Sequence, residues 1–231
     1  MNQWHLATDD FFAGMPEAKR RFSEKAVHLR LDKNSIIFFE NDPGDSCYYI
    51  ESGLVRIFSL TASGKEPIFF LRQAGDMFGL SEVLDRHPRK ANAQSLSPCL
   101  LLRIRSGDFD ALLAEDHAVC RRVIGLLGRR IRYLGERVSQ LMTSSVMERL
   151  VKLLIGIACD RIKDAPSWSR PVTLPVALTQ CQIASMCGST QPTVNELLRL
   201  LQREGLIEIS RKRIVLCHPL ALLARVETPF I

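Results

Sequence analysis

The chain has 231 residues, 46% of them apolar and 24% charged, with a net charge of +6 and a sequence pI of about 9.1. That is enough apolar chain for one large core or two modest ones, and the basic excess points to polyanionic partners, nucleic acid or an anionic membrane face. The sequence excludes a membrane helix, since no apolar run approaches the ~18–20 residues needed, and Met1 to Asp10 lacks the basic start and apolar stretch of a signal peptide.

Residues 26–105 read as short strands. Glycines recur at Gly44, Gly53, Gly64 and Gly75, spaced by 9, 11 and 11 residues. Between them lie β-type runs at 35–39, 47–50, 54–58 and 68–71. Turns at this spacing predict a sandwich or barrel. Residues 62–65 have the form of a hairpin tip. Two further strands fit 93–96 and 100–105, and a double-sheet jelly roll closes the set economically.

After Ser106 the period changes. Residues 106–108 start a short helix, and a long helix runs from Cys120. Its apolar positions Ile124, Leu127, Ile131, Leu134, Val138 and Leu141 advance by 3, 4, 3, 4 and 3 residues. Ile, Ile and Val alternate with Leu, the pattern of a parallel two-stranded coil. Arg129, Arg130, Arg132, Glu136 and Arg137 flank the seam and stay wet. A core helix of a single chain is the alternative, and the strict repeat favours a homodimer. Gly125, Gly128 and Gly135 weaken the isolated helix by about 1 kcal/mol each and leave room for a partner or ligand. A second helix covers about 145–160, residues 163–167 form a loop, and a hinge lies near 141–145.

The most specific local signal spans Thr179 to Gln202. Thr179-Gln180-Cys181-Gln182 has capping-box form and starts a short helix. Gly188 stops it. Thr190 caps the next helix, with Pro192 in its first turn and Val194, Leu197, Leu198 and Leu201 facing inward. A small residue at Ala184 and the glycine at Gly188 fit the close approach of two crossing helices. This predicts a helix-turn-helix. The segment 205–216 adds a β-hairpin with a basic tip, Arg211, Lys212 and Arg213, read as a wing that touches phosphate. The second helix then offers Gln191, Thr193, Asn195, Glu196 and Arg199 to the major groove. Ser189 and Thr190 sit where hydroxyls and backbone N–H groups meet phosphate. A dimer carries two such helices ~34 Å apart and reads an inverted repeat.

The chain resembles the Crp/Fnr family of transcription regulators over nearly its whole length. The marks are Gly44, Gly53, Gly75-Asp76-Met77-Phe78-Gly79, the Arg129-Arg130 helix, Gly188-Ser189-Thr190-Gln191-Pro192-Thr193-Val194, and Glu204-Gly205-Leu206-Ile207. The resemblance implies an α+β chain in three parts. A cyclic-nucleotide-binding-like sensor jelly roll (a double-stranded β-helix) covers 1–118, a dimerisation helix 119–142, and a winged helix-turn-helix 143–231. It implies a cytoplasmic dimeric regulator, not an enzyme, that binds double-stranded DNA, with RNA polymerase a candidate partner. A small effector would sit in the β-roll near the long helix, against Gly79, Leu80, Arg89, Lys90 and Leu134.

The departures from the family pattern bear on the effector. The family's cyclic AMP pocket has a Glu where this chain has Leu80, an Arg-Ser-Ala run where it has Arg89-Lys90-Ala91, and a Thr-Ser pair where it has Leu134-Gly135. Arg89 is kept, while the ribose and base partners are lost at about 1 kcal/mol or more per hydrogen bond. Arg89 and Lys90 suit another small anion, a carboxylate or phosphate; a solvated surface loop is the plain alternative. The cysteines clustered near the start of iron–sulfur members are missing, so that cluster is not expected. The heme-sensing members' Cys and His fall at Gly79 and Ser81 here, so heme is not expected either, and His28 or His87 alone makes no ligand set. The seven cysteines are scattered without a C-x-x-C, so neither disulfides nor a metal site are expected, and most read as small buried residues. The competing readings are a regulatory module acting through protein partners and a heme- or redox-sensing member of the same family.

Overall fold

A computed structural model describes residues 10–162, 168–211 and 213–226. It forms two compact units that meet between Arg132 and Tyr133, within one long helix.

The first unit opens with α1 (Pro16–Lys25), followed by β1 (Val27–Leu31), β2 (Ile36–Phe38), β3 (Ser46–Ser52), β4 (Leu54–Phe58), β5 (Ile68–Gln73) and β6 (Met77–Phe78). Next come the short helix α2 (Leu80–Asp85), β7 (Asn92–Ser95), β8 (Cys99–Arg105), α3 (Ser106–Glu115) and the start of α4 (His117–Thr143). The strands make two four-stranded sheets, β1-β8-β3-β6 and β2-β7-β4-β5, with antiparallel pairing throughout. This is the expected jelly roll.

Strand β3 shows why the run at 47–50 is apolar without alternation. Both of its faces are buried, as a strand in the middle of a sandwich requires. Cys47 and Tyr49 enter one core with Phe11, Phe12, Phe22, Leu102 and Phe109. Tyr48 and Ile50 enter a second core with Phe38, Val55, Phe78 and Leu101. The Tyr49 hydroxyl donates to Asp10 at 2.7 Å and accepts from Lys19 at 3.0 Å, so the segment before α1 is pinned to the sheet. Sequence reasoning placed neither α1 nor β1. Only Ala18 and Phe22 of α1 are buried, too few to show a helical period. The long helix also starts earlier than Cys120, because the Asp116 carboxylate accepts from the Ala118 and Val119 N–H groups at 3.0 and 3.2 Å and caps it at His117.

The second unit contains the end of α4, then α5 (Val146–Ala158), a 3-10 turn at Cys159–Arg161, and β9 (Val172–Thr173). It continues with α6 (Gln180–Cys187), α7 (Gln191–Arg203), the hairpin β10 (Ile207–Ser210) and β11 (Arg213–Leu216), and α8 (Pro219–Ala224). Ser145 and Glu148 form a capping box that starts α5 immediately after α4 ends; the hinge expected near 141–145 does not coincide with the division of the units, which falls between Arg132 and Tyr133. The wing is a three-stranded sheet, β10-β11-β9, rather than a lone hairpin. Its third strand is two residues long, below what periodicity reveals. The expected loop at 163–167 lies outside the described residues.

Candidate nucleic-acid interface and sensor site

Local chemistry builds the helix-turn-helix. The Thr179 hydroxyl accepts from the Gln182 N–H at 3.2 Å, and the Gln182 side chain accepts from the Thr179 N–H at 2.8 Å. Two orphan donors of α6 are thereby satisfied. Gly188 ends α6 at φ +61°, and a Cβ there would lie 2.7 Å from Leu141 Cδ2, so the turn needs glycine for both backbone and space. Thr190 caps α7, accepting from the Thr193 N–H. On α7, Val194, Leu198 and Leu201 are buried. Leu197, expected inside, is only half-buried.

Among the expected DNA-facing residues, Thr190, Gln191, Glu196 and Arg199 are exposed, and Ser189, Thr193 and Asn195 are half-buried. The Thr190 and Thr193 hydroxyls lie 2.9 Å apart, and the Asn195 Oδ1 is buried with no hydrogen-bond partner among the described residues. Arg211 and Arg213 are exposed at the wing tip, Arg211 with φ +45°. Lys212 lies outside the described residues. An open groove of about 310 Å³ separates the starts of α6 and α7 from the wing, with Gln180, Cys181 and Gln191 on its lining.

Sequence reasoning missed the braces behind this surface. Arg149 is buried, and its guanidinium donates to the Cys187 carbonyl at 2.8 Å and the Ser144 carbonyl at 2.6 Å. Arg137, read as a wet flank, donates to the Met186 carbonyl. Met186 and Cys187 end α6, where helix carbonyls lack internal partners and the dipole is negative. Two cations therefore hold the turn of the motif. No local signal reveals them, because the partners are 49 and 38 residues away.

Helix α4 has two apolar faces. Val119, Val123 and Leu126 are buried against the β-roll core. Ile124, Ile131, Leu134, Val138 and Leu141 are 42–70% exposed. Leu127 departs from the expected seam: it is half-buried and packs against the β-roll core.

In the β-roll, Arg89 is 1% exposed rather than part of a solvated loop. Its guanidinium donates to the Gly79 carbonyl at 3.1 Å and to the Ser46 carbonyl, lies 3.4 Å from the Glu82 carboxylate, and stacks 4.3 Å from the Phe38 ring centroid. Gly79 has φ +71°, and a Cβ there would come within 2.9 Å of Arg89 Nη1. Leu80, expected to face a ligand, is instead a core side chain at 1% exposure. Lys90 is exposed. Leu134 belongs to the other unit. On α4, Arg130 donates to the Met77 carbonyl. Burial, with Arg72 nearby, disfavours its charged form, and Asp76 and Glu82 oppose that shift.

The cysteines correct one expectation. Only Cys47, Cys99 and Cys187 are buried; Cys120, Cys159 and Cys217 are half-buried, and Cys181 is exposed. Burial raises the Cys47 thiol well above the ordinary range and pushes Cys187 up to about 12.

Residues 28–116 match the cyclic nucleotide-binding domain, and residues 148–225 match the Crp-like helix-turn-helix domain. The chain is 28% identical over 215 residues to the CRP-like cAMP-activated global transcriptional regulator of Mycobacterium tuberculosis, covering 91% of this chain and 93% of that protein. It is 25% identical over 190 residues to the cAMP-activated global transcriptional regulator CRP of Pasteurella multocida, covering 82% and 88%. Its fold matches that of a CooA mutant from Carboxydothermus hydrogenoformans, with a TM-score of 0.78 and 22% identity over 97% of this chain and 99% of that one. FixK2 from Bradyrhizobium japonicum matches with a TM-score of 0.75 and 19% identity, covering 89% and 99%. No described helix is long and apolar enough to cross a membrane. With a cyclic nucleotide-binding domain, a long helix and a Crp-like helix-turn-helix in that order, the chain belongs to the Crp/Fnr family of transcription regulators.

Proposed function

We propose that the protein is a cytoplasmic homodimer that binds an inverted DNA repeat and is controlled by a small anionic effector other than cyclic AMP. The exposed face of α7 carries the DNA reading. Gln191, Glu196 and Arg199 leave a helix whose opposite side is packed, beside exposed Arg211 and Arg213. Gln pairs with adenine, Glu accepts from cytosine, and Arg reads guanine or holds phosphate. Dimerisation is supported by the exposed stripe of Ile124, Ile131, Leu134, Val138 and Leu141, which a second copy would cover by coiled-coil packing. In that dimer the twin helices would sit one DNA turn apart, and RNA polymerase is a candidate partner.

The relatives' names describe cAMP activation in those proteins. In this chain the family's ribose-binding position is the buried Leu80, and Arg89 already faces Glu82. Both support an anion different from a cyclic nucleotide, held by Arg89 with Gly79 and with Lys90 at the entrance.

The test is selection of bound sequences from a random DNA pool by the purified dimer, followed by anisotropy titrations against salt. Selective binding whose affinity falls steeply with salt is expected. Arg199→Ala should cost about 1–3 kcal/mol of binding. Sedimentation of Leu134→Glu should give monomer, or unfolded chain. No selective binding with any small anion present would leave the DNA reading without support, and a native Leu134→Glu dimer would refute the seam.

A further inference from the structure

Arg89 is a cation placed where water does not reach it. Its Nε is buried and has no hydrogen-bond partner among the described residues. Its Nη1 and Nη2 donate to two neutral carbonyls, of Gly79 and Ser46, and neither offsets a full charge. The carboxylate that faces it comes from Glu82, on α2, at 3.4 Å with 15% of its side chain exposed. A buried cation needs a countercharge, because removing it from water costs several kcal/mol otherwise.

The fold holds the two partners in place. The Arg89 N–H donates to the Asp42 carbonyl at 2.9 Å, and the Arg89 carbonyl accepts from Asn41 at 2.8 Å. A Cβ on Gly44 would stand 2.6 Å from Glu82 Cβ and 2.1 Å from the His87 carbonyl oxygen. The 41–44 loop thus presses against both the acid and the segment bearing the arginine. Glu82 also favours the charged form of Arg130, on α4.

We propose that Glu82 is a built-in ligand of Arg89, and that an anionic effector, a carboxylate or a phosphate, binds by displacing it. This rests on the anionic-effector reading given above.

The experiment is anion rescue of full-length Glu82→Ala, read by thermal unfolding in sodium formate or inorganic phosphate, with chloride at equal ionic strength as the control. Glu82→Ala should melt about 5 °C or more below the wild type in chloride, and formate or phosphate should restore most of that loss saturably. The wild type should gain much less. Recovery with formate alone marks a carboxylate site, and recovery with phosphate alone marks a phosphate site. If Glu82→Ala does not fold, Glu82→Gln, which keeps the shape and an acceptor, should bind one of these anions at least about tenfold more tightly than the wild type. No recovery with either anion, recovery that persists when Arg89→Met is added, or equal affinity of Glu82→Gln and wild type overturns the proposal. DNA binding is measured separately: intact selective binding with no rescue sinks this inference alone, and rescue without selective binding sinks the DNA-binding reading alone.

Discussion

The two units solve the same problem, a buried guanidinium, in different ways. In the β-roll, Arg89 meets a carboxylate on a six-residue helix, within a core rich in rings: Phe38, Tyr48 and Phe78 stand around it or next to its neighbours. In the C-terminal unit, the partners of Arg149 among the described residues are carbonyls, those of Ser144 and Cys187, in a core of Leu, Ile and Val. A carboxylate on a side chain can be exchanged for another anion, whereas a helix-end carbonyl cannot leave without unwinding the helix. The first arrangement suits a unit that responds to charge, and the second suits one that holds a reading surface in shape.

Four substitutions or titrations break or sharpen this contrast. The largest effect is expected from Arg149→Met. It deprives two carbonyls of a charged donor and should cost about 3 kcal/mol, lowering the transition of the C-terminal unit in calorimetry while the β-roll transition stays in place. A loss shared equally by both units would mean that Arg149 is no local brace. Gly79→Ala comes next. Its positive φ strains any Cβ-bearing residue, and the new Cβ crowds Arg89 Nη1 at 2.9 Å, so a loss of about 1–2 kcal/mol confined to the β-roll is expected. Equal stability of the variant would show that the Arg89 cluster tolerates rearrangement and is not held as described.

Thr179→Ala removes one half of the α6 capping box and should cost about 1 kcal/mol in the C-terminal unit, measurable as a shift in denaturant midpoint at constant slope. The last effect is alkaline and grows with pH. The Cys187 thiol sits at about 12 in the fold against an ordinary 9.0. The unfolded chain therefore ionises this group first. Its contribution is intact below pH 9 and is lost as pH rises from 9 toward 12. Thiol labelling of the native protein at mildly alkaline pH gives the matching readout: exposed Cys181 should react fast and Cys187 slowly. Fast labelling of both would mean that the turn of the motif opens readily and that the braces on Met186 and Cys187 are weak.

The helix-turn-helix was legible almost residue by residue, because caps and a positive-φ glycine act over three or four residues. Thr179, Gly188 and Thr190 each do locally what their residue type implies. The exposed apolar stripe on α4 was legible for the same reason, being a period along one helix, and Leu127 departs from it because the β-roll core claims that side chain. The Arg89 cluster was legible as a single residue and misread in its surroundings. Leu80 turned inward, Lys90 stayed outside, and Glu82, which carries the countercharge, was not singled out. Its pairing depends on Gly44 and on the path of the 41–44 loop, which no spacing in the sequence encodes.

The sequence by itself determined the local and periodic features: where helices start and stop, that the N-terminal half is a closed β structure, and which face of α4 and of α7 is left over. Tertiary structure alone decided the burial of both faces of β3, the docking of α1, the arginine braces on α6 and the Glu82–Arg89 pair. The physical reason is range. A cap or a heptad is satisfied within one or two turns of chain, whereas a long guanidinium stem finds its partner across the fold, at whatever backbone or carboxylate the topology brings within about 3 Å.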